Sequence, residues 1–257
     1  MNAVNLEVAP DLLKLLANDV RWQILSLLAH GDLRVQEIAA AVGKPINLVS
    51  YHLKLLRDQE LVHERRSSAD GRDIYYTLDV GRLGDLYRRS GAQLHPALLD
   101  PEGGSPLPVT ASWPRRVLFL CTQNRARSQM AEGLLRVMSG GHIEAHSAGV
   151  RPGIVHPLAV QVLGDMGIDI SGQRSKHVDE LYDQTFDQVI TVCDQVREQC
   201  PVFPSEPDLI HWSIKDPIAA LEAVEDANAR RTVFAKTAQE LAARVRYLLL
   251  TEPNLSL

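Results

Sequence analysis

The chain has 257 residues, of which 45% are hydrophobic, and this length and composition suit two domains with separate apolar cores. No stretch approaches about 18 consecutive apolar residues, and the first residues lack a basic start followed by an apolar run, so we expect a cytoplasmic protein without a membrane span or signal peptide. A net charge of −5 gives no global sign of nucleic-acid binding, and three cysteines, an odd number, argue for thiol chemistry over a structural disulfide framework.

Apolar spacing in the first part of the chain predicts four helices, then two strands and a last helix. The helices are expected at 10–17, 20–30, 35–42 and 46–59, the strands at 61–66 and 73–78, and the last helix at 80–94. This order predicts an α+β winged helix-turn-helix domain over residues 1–94. In that geometry the second helix of the motif enters the major groove of DNA, and the hairpin lies along the phosphates.

The helix expected at 46–59 has an apolar stripe and a polar face. Val49, Leu53 and Leu56 would face the core. The candidate DNA-contacting side chains are Asn47, Ser50, Tyr51 and Lys54 on this helix and Arg65, Arg66 and Arg72 on the hairpin. Basic and acidic residues nearly balance over residues 1–100, so charge alone would favour an ordinary helical surface.

The segment 47–62, followed by Arg65–Arg66 and by Ile-Tyr-Tyr-Thr-Leu at 74–78, resembles the ArsR-type winged-helix repressors, with similarity over about residues 9–92. Ser50, His52 and Leu53 stand at the family's serine-x-histidine-leucine positions. His52 is therefore included among the candidate DNA contacts, although it could equally be a helix-packing residue. The resemblance implies a homodimer, paired through the first and last helices, that represses by binding a short inverted repeat of double-stranded DNA.

Arsenite-sensing members of that family use cysteine thiolates near the helix that precedes the recognition helix. The corresponding region here reads Asp-Leu-Arg-Val-Gln-Glu-Ile at 32–38, and no cysteine occurs in residues 1–94. A three-thiolate As(III) site therefore cannot form within this domain, and we expect no metal site.

Residues 95–114 are dense in Pro, Gly and Ser, which breaks helical and strand periods and predicts a flexible linker. Beyond it, strand-like runs at 117–120, 142–148 and 188–192 alternate with helical ones. This alternation predicts a second domain over residues 115–257, with an α/β fold, a central parallel sheet and right-handed crossovers.

The most informative run is VLFLCTQNRARS at 117–128, where an apolar strand ends in Cys121 and a tight loop leads into a helix expected at 128–138. Free backbone N–H groups and the helix dipole at such a place hold an oxyanion and favour a thiolate, so Cys121 is the candidate nucleophile. Arg127 would bind two oxyanion oxygens, and Ser128 would donate to the sulfur. The expected oxyanion loop is Thr122, Gln123, Asn124, Arg125, Ala126 and Arg127. The alternative is a buried cysteine without chemistry.

The run 121–133 resembles the superfamily of low-molecular-weight tyrosine phosphatases and thioredoxin-coupled arsenate reductases, with similarity over about residues 116–250. Both branches share Cys121, Asn124, Arg127 and Ser128. The resemblance also implies that Asp216, which precedes Pro217, is the acid that protonates the leaving oxygen. An Asp-Pro pair by itself usually marks only a turn.

Two features favour the reductase branch. Cys193 and Cys200 have the spacing that reductases of this fold use for their redox pair, whereas a phosphatase needs neither thiol. Asp216-Pro217 is followed by Ile218 and Ala219, where tyrosine phosphatases of the superfamily typically place aromatic residues that grip a phenol ring.

The resemblance implies that Cys121 attacks arsenate, that Cys193 then attacks the Cys121 sulfur, and that the disulfide passes to Cys200 for reduction by thioredoxin. It implies no bound cofactor, and phosphate should compete with arsenate. Two alternatives stay open: a phosphatase with a DNA-binding arm, and a non-catalytic repressor that senses an oxyanion or redox state. The sequence does not specify the operator, the inducer or any coupling between the two domains.

Overall fold

The computed structural model describes residues 10–69, 71–94, 116–198, 203 and 205–250. These residues form two compact units: 10–29, 33–65 and 74–94 make up the first, and the remaining described residues make up the second. The predicted linker at 95–114 lies outside the described residues, so the domain boundaries predicted at 94 and 115 stay predictions. The predicted redox partner Cys200 also lies outside the described residues.

The N-terminal elements follow the predicted order. The helices are α1 (Asp11–Leu16), α2 (Asp19–His30), α3 (Val35–Val42), α4 (Ile46–Asp58) and α5 (Val80–Leu94), and the strands are β1 (Leu33–Arg34), β2 (Val62–Arg66) and β3 (Ile74–Leu78). The strand order is β1-β3-β2, with β1 antiparallel to β3. The prediction of a two-stranded hairpin missed β1 because two residues are too few to show the alternation of a strand.

The turn between α3 and α4 depends on Gly43. Its φ of +65° lies in the left-handed region, and its N–H caps α3 by donating to the last carbonyls of that helix. Helix α4 then begins after Pro45. Val49, Leu53 and Leu56 are almost fully buried, as the apolar stripe predicted. The opposite face of α4 is consequently exposed.

The C-terminal unit has a four-stranded parallel sheet, which confirms the predicted fold class. Its strands are β4 (Arg116–Cys121), β5 (Glu144–Gly149), β6 (Gln188–Thr191) and β7 (Asp208–His211), and its helices are α6 (Arg127–Met138), α7 (Pro157–Asp165), α8 (Asp194–Glu198) and α9 (Ala227–Leu250). The order is β5-β4-β6-β7, and all neighbours are parallel. Strand β7 was not predicted, because it is a short edge strand with two exposed residues.

The central strand β4 explains where the site lies. Its residues 117–120 are fully buried, and α6 packs against β4, β5, α7 and α9. Cys121 at the end of β4 pairs in register with Gly149 at the end of β5, and Cys193 follows β6 by two residues. The carboxyl edge of the sheet therefore brings both cysteines to the place where parallel α/β sheets bind ligands. Among the described residues, no helix combines the length and the apolar character needed to cross a membrane.

Candidate active site and nucleic-acid interface

The loop between β4 and α6 is anchored from one side through its own carbonyl groups. Three backbone bonds do this: Arg151 N donates to Thr122 O at 2.8 Å, Gly153 N to Gln123 O at 3.0 Å, and His156 N to Arg125 O at 2.8 Å. In a trans peptide the next N–H points away from each carbonyl, so the amides of residues 123, 124 and 126 point away from the anchoring segment. The Asn124 N–H indeed donates to Cys121 Sγ, at 3.0 Å. The loop thus presents amide donors on the cysteine side.

Asn124 is the internal brace of the loop. It is fully buried and has a φ of 49°, a left-handed conformation that asparagine tolerates better than most residues. Its Nδ2 donates to Ser128 Oγ at 2.9 Å and to Ser147 Oγ at 2.8 Å. Its Oδ1 accepts from Lys176 N at 2.8 Å and from Gln129 Nε2 at 2.9 Å. The whole side-chain amide is therefore engaged, and its four hydrogen bonds stabilise this conformation of the loop.

The predicted nucleophile, the last residue of β4, lies where this loop begins. Cys121 is a free thiol with 3% of its surface exposed, and its Sγ is 2.9 Å from Ser128 Oγ. Helix α6 begins at Arg127, one residue before the predicted start, so its N-terminal turn adjoins the sulfur. Hydrogen-bond donors and a helix N-terminus both stabilise a thiolate.

Arg127 and Asp216 form an ion pair that the sequence did not predict. Arg127 Nη2 donates to Asp216 Oδ2 at 2.8 Å, and Nη1 donates to the Ile214 carbonyl at 2.9 Å. The Arg127 side chain is 10% exposed and that of Asp216 is 40% exposed. Asp216 Oδ1 also accepts from Ile218 N, as expected for a turn residue. Asp216, the predicted acid, therefore contacts Arg127, the side chain predicted to bind the oxyanion. A bound oxyanion would compete with Asp216 for the Arg127 guanidinium.

Cys193 is the second thiol at this edge of the sheet. It is free and buried, and its Sγ is 3.4 Å from Thr122 Oγ1, the hydroxyl of the residue after Cys121. Burial raises the pKa of the Cys193 thiol, and the negative charge of Cys121 raises it further, while Arg127 and the Thr122 hydroxyl act in the opposite direction. The two cysteines are thus close enough to affect each other electrostatically.

Residues 116–254, more than half of the chain, match the family model of low molecular weight phosphotyrosine protein phosphatase. The chain belongs to this family. Residues 18–64 match the family model of bacterial regulatory protein, arsR family. The chain therefore joins a segment that matches the arsR-family model to a domain of the low molecular weight phosphatase family.

Several relatives of this phosphatase-family chain are named arsenate reductase. One from Halalkalibacterium halodurans is 37% identical over 130 residues, which cover 51% of this chain and 91% of the relative. One from Bacillus subtilis is 34% identical over 130 residues, with the same coverage of 51% and 91%. A solved arsenate reductase structure from Archaeoglobus fulgidus is 31% identical, with a TM-score of 0.40, and covers 51% of this chain and 98% of its own.

The arsR-family match includes the predicted DNA-contacting helix α4. Asn47, Ser50, Tyr51 and Lys54 are all exposed on it. In the wing, Arg65 is half-buried, whereas Arg66 and Arg72 are exposed. Their contact with DNA remains a prediction.

His52 differs from the other predicted DNA contacts because its side chain is only 7% exposed. Its ring lies edge-on to Tyr51, with centroids 5.3 Å apart. Burial lowers the pKa of His52, and the charge of Arg21 lowers it further. The structure favours the packing alternative, since a buried ring cannot reach a base edge.

Sequence reasoning missed several residues that support the site in the phosphatase-family domain, among them Ser147, Glu132 and Gly149. Ser147 and Glu132 continue the hydrogen-bond network from Asn124, and Gly149 gives the loop room to pass. Only Gly149 left a local signal, a glycine at the end of a strand. Ser147 and Glu132 lie on different elements, and only the folded chain brings them together.

Proposed function

We propose that the chain is an arsenate reductase fused to a DNA-binding transcriptional regulator. The observation that carries this proposal is the second buried thiol, Cys193, placed 3.4 Å from the hydroxyl of the residue after Cys121. A phosphatase of this fold needs one thiol, whereas reduction of arsenate needs two electrons from a pair of thiols. The relatives named arsenate reductase, which are covered over 91% of their length, support the same interpretation.

In the proposed first step, the loop amides and Arg127 hold arsenate while the Cys121 thiolate attacks arsenic. Arg127 then binds arsenate in place of the Asp216 carboxylate, and Asp216, in its protonated form, gives its proton to the departing hydroxide, which leaves as water while an arseno-cysteine forms. In the second step, the Cys193 thiolate attacks the Cys121 sulfur. The electron pair of the S–As bond stays on arsenic, so As(V) becomes As(III) and arsenite leaves, while the two thiols become a disulfide.

The proposed relay passes through Cys200 and ends at thioredoxin, a separate protein. Cys200 takes over the disulfide by thiol exchange, and thioredoxin reduces the resulting Cys193–Cys200 bond, which fits a cytoplasmic protein without a bound cofactor. Phosphate has the shape of arsenate and should compete with it. Some hydrolysis of small aryl phosphates is expected, because the first step of that reaction uses the same nucleophile, loop and acid.

The proposed regulatory half acts as a homodimer on a double-stranded DNA operator, paired through the first and last helices of the N-terminal domain. The arsR-family match over residues 18–64 and the exposed polar face of α4 support this role. Amide, hydroxyl and ammonium groups on that face suit base edges and phosphates.

The test is arsenate-dependent NADPH oxidation by the full-length chain with thioredoxin and thioredoxin reductase. We expect turnover by the parent and none by Cys121→Ser. Cys193→Ser should also lose turnover, because it can form the arseno-cysteine but cannot release arsenite by disulfide formation.

Aryl phosphate hydrolysis without reductant is measured in parallel. Hydrolysis without arsenate turnover would contradict the proposal and identify a phosphatase. The absence of both activities would favour the oxyanion- or redox-sensing repressor.

A further inference from the structure

A fully buried carboxylate follows the second thiol directly along the chain. It belongs to Asp194, the first residue of α8. Ser213 Oγ donates to Asp194 Oδ1 at 2.7 Å, and His211 Nε2 lies 3.2 Å from the same oxygen. Ser68, a residue of the same compact unit, donates its backbone N–H to Asp194 Oδ2 at 2.8 Å and its hydroxyl at 3.0 Å. This set of donors suits an ionised carboxylate, which can only accept hydrogen bonds.

Two partners of Asp194 are themselves held by the sheet. His211 is the last residue of β7, and its side chain is buried beside Thr191, the last residue of β6. These two residues pair in register, and His211 Nδ1 lies 2.8 Å from Thr191 Oγ1. Ser213 follows the end of β7 by two residues and is also buried. The start of α8 is therefore tied to the carboxyl ends of β6 and β7.

Cys193 lies between this anchor and a second one. Before Cys193, the Val192 N–H donates to the Leu120 carbonyl at 2.8 Å, which carries the pairing of β6 with β4 one residue further. After it comes Asp194, with its buried partners. The Cys193 sulfur accepts a hydrogen bond from the backbone N–H of Val196, in the first turn of α8. The position of this sulfur therefore depends on where α8 begins, which the Asp194 carboxylate fixes.

The energetics of a buried carboxylate favour a positioning role over a purely stabilising one. Desolvation of a buried charge costs about as much as its partners return, so such a group is weak evidence for stability. Hydrogen bonds to a carboxylate, in contrast, fix the orientation of the groups that they join. Attack of one sulfur on another needs that orientation, because a displacement of about 1 Å can slow a reaction by about a hundredfold.

We infer that Asp194, held by His211 and Ser213, is a positioning residue that keeps the Cys193 sulfur within reach of Cys121. The inference rests on the proposed function, in which Cys193 attacks the Cys121 sulfur. It concerns the second step alone, because the attack of Cys121 on the oxyanion does not use Cys193.

The test follows formation of the Cys121–Cys193 disulfide without arsenate. In full-length Cys200→Ser protein these two thiols remain, since the sequence has three cysteines. One thiolate attacks dithiodipyridine, and a first thiopyridone leaves while a mixed disulfide forms. The other thiolate then attacks the mixed disulfide, forms the Cys121–Cys193 bond and releases a second thiopyridone. The second release is intramolecular, so its rate does not depend on the reagent concentration.

Asp194→Ala should slow the second release about tenfold, because the start of α8 loses its anchor. Ser213→Ala removes one donor and should slow it about threefold. The first release, which reports access of the reagent, should be parental in both variants. Val162→Ala is the matched control, since Val162 is buried in the same core but lies on α7, and it should lower the melting temperature without slowing the second release.

Asp194→Asn separates positioning from an effect of charge. In place of Oδ1, the amide nitrogen can donate to Nε2 of a neutral His211 and to the Ser213 oxygen, so the second release should keep its parental rate. Its pH profile should also be parental. A profile shifted to lower pH would overturn the inference, because it would mean that Asp194 acts on Cys193 through its charge.

A parental second release in Asp194→Ala would equally overturn the inference. Thermal unfolding checks each variant, and if Asp194→Ala does not fold, the rate in Ser213→Ala decides. The parent distinguishes the inference from the proposed function. If the parent itself shows no second release, Cys193 does not reach Cys121 and the proposed relay fails, whereas a fast second release in parent and variants alike contradicts the positioning role alone.

Discussion

The Thr122 hydroxyl affects how readily Cys193, the thiol proposed to attack Cys121, ionises to a thiolate. The Thr122 hydroxyl lies 3.1 Å from Gln195 Oε1 and 3.4 Å from Cys193 Sγ, and it has one hydrogen for the two acceptors. While Cys193 is a thiol, Thr122 can donate to Gln195. Once Cys193 ionises, donation to the sulfur becomes the stronger bond, because a charged acceptor gains more from a hydrogen bond than a neutral one.

The raised pKa of Cys193 predicts the pH dependence of disulfide formation. A raised pKa lowers the thiolate fraction at neutral pH, so the single-turnover rate of the Cys121–Cys193 step should rise with pH through and beyond about 8.5, the ordinary thiol value. Thr122→Val should slow this step about threefold to tenfold at neutral pH, and Thr122→Ser should not. Acid quenching and mass spectrometry of the disulfide measure the rate. A flat profile from about pH 6 to about pH 9 would contradict the prediction.

At the scale of elements, the local and long-range parts of the site differ in how far the sequence could predict them. The apolar run 117–120, then Cys121 and a helical pattern, was enough to predict β4, the loop and α6. The anchoring of the loop by residues 151–156 and its closeness to Gly149 could not be predicted from local pattern, because these contacts join segments about thirty residues apart. The ion pair of Arg127 with Asp216 was missed for the same reason.

Gly149 offers a test of how tightly β5 confines the loop. A Cβ at this position would lie 2.9 Å from Asn124 N and 2.9 Å from Thr122 O, and backbone atoms cannot move aside as a flexible side chain can. Gly149→Ala should therefore displace the loop, lower the free energy of unfolding by about 1–3 kcal/mol and weaken phosphate binding.

Gly164→Ala, in α7, is the control for Gly149→Ala, because a Cβ there meets nothing within 4 Å. In the last turn of a helix this change should leave stability unchanged or slightly raised. Thermal unfolding with and without phosphate measures both effects, since a bound ligand raises the melting temperature. Equal phosphate-induced shifts in the two variants would show that the loop tolerates the extra methyl group.

At the scale of the whole molecule, the sequence predicted the fold class of both domains and most of their elements, but it missed one short edge strand in each sheet. Both domains had strong apolar periodicity, and the parallel sheet followed from its alternation with helices. Strands β1 and β7 were missed because Leu33–Arg34 is very short and Asp208–His211 is a partly exposed edge. His52 shows the same limit, because a family motif names a residue without saying on which side of a helix its ring packs.

Because the chain has a net charge of −5, the proposed binding of DNA phosphates must come from a local set of cationic side chains. Lys54 is exposed on α4, and its replacement should both weaken DNA binding and reduce the dependence of affinity on salt. The slope of log affinity against log salt concentration should fall by about 0.9 for each phosphate that the protein no longer neutralises.

The probe is a DNA duplex selected from a random library by the full-length protein, titrated at several salt concentrations. Lys236→Gln is the matched control, because Lys236 is also exposed but lies on α9, and it changes the net charge by the same amount as Lys54→Gln. Equal slopes for the two variants would mean that Lys54 does not bind a phosphate, and would shift the search to Arg66 and Arg72.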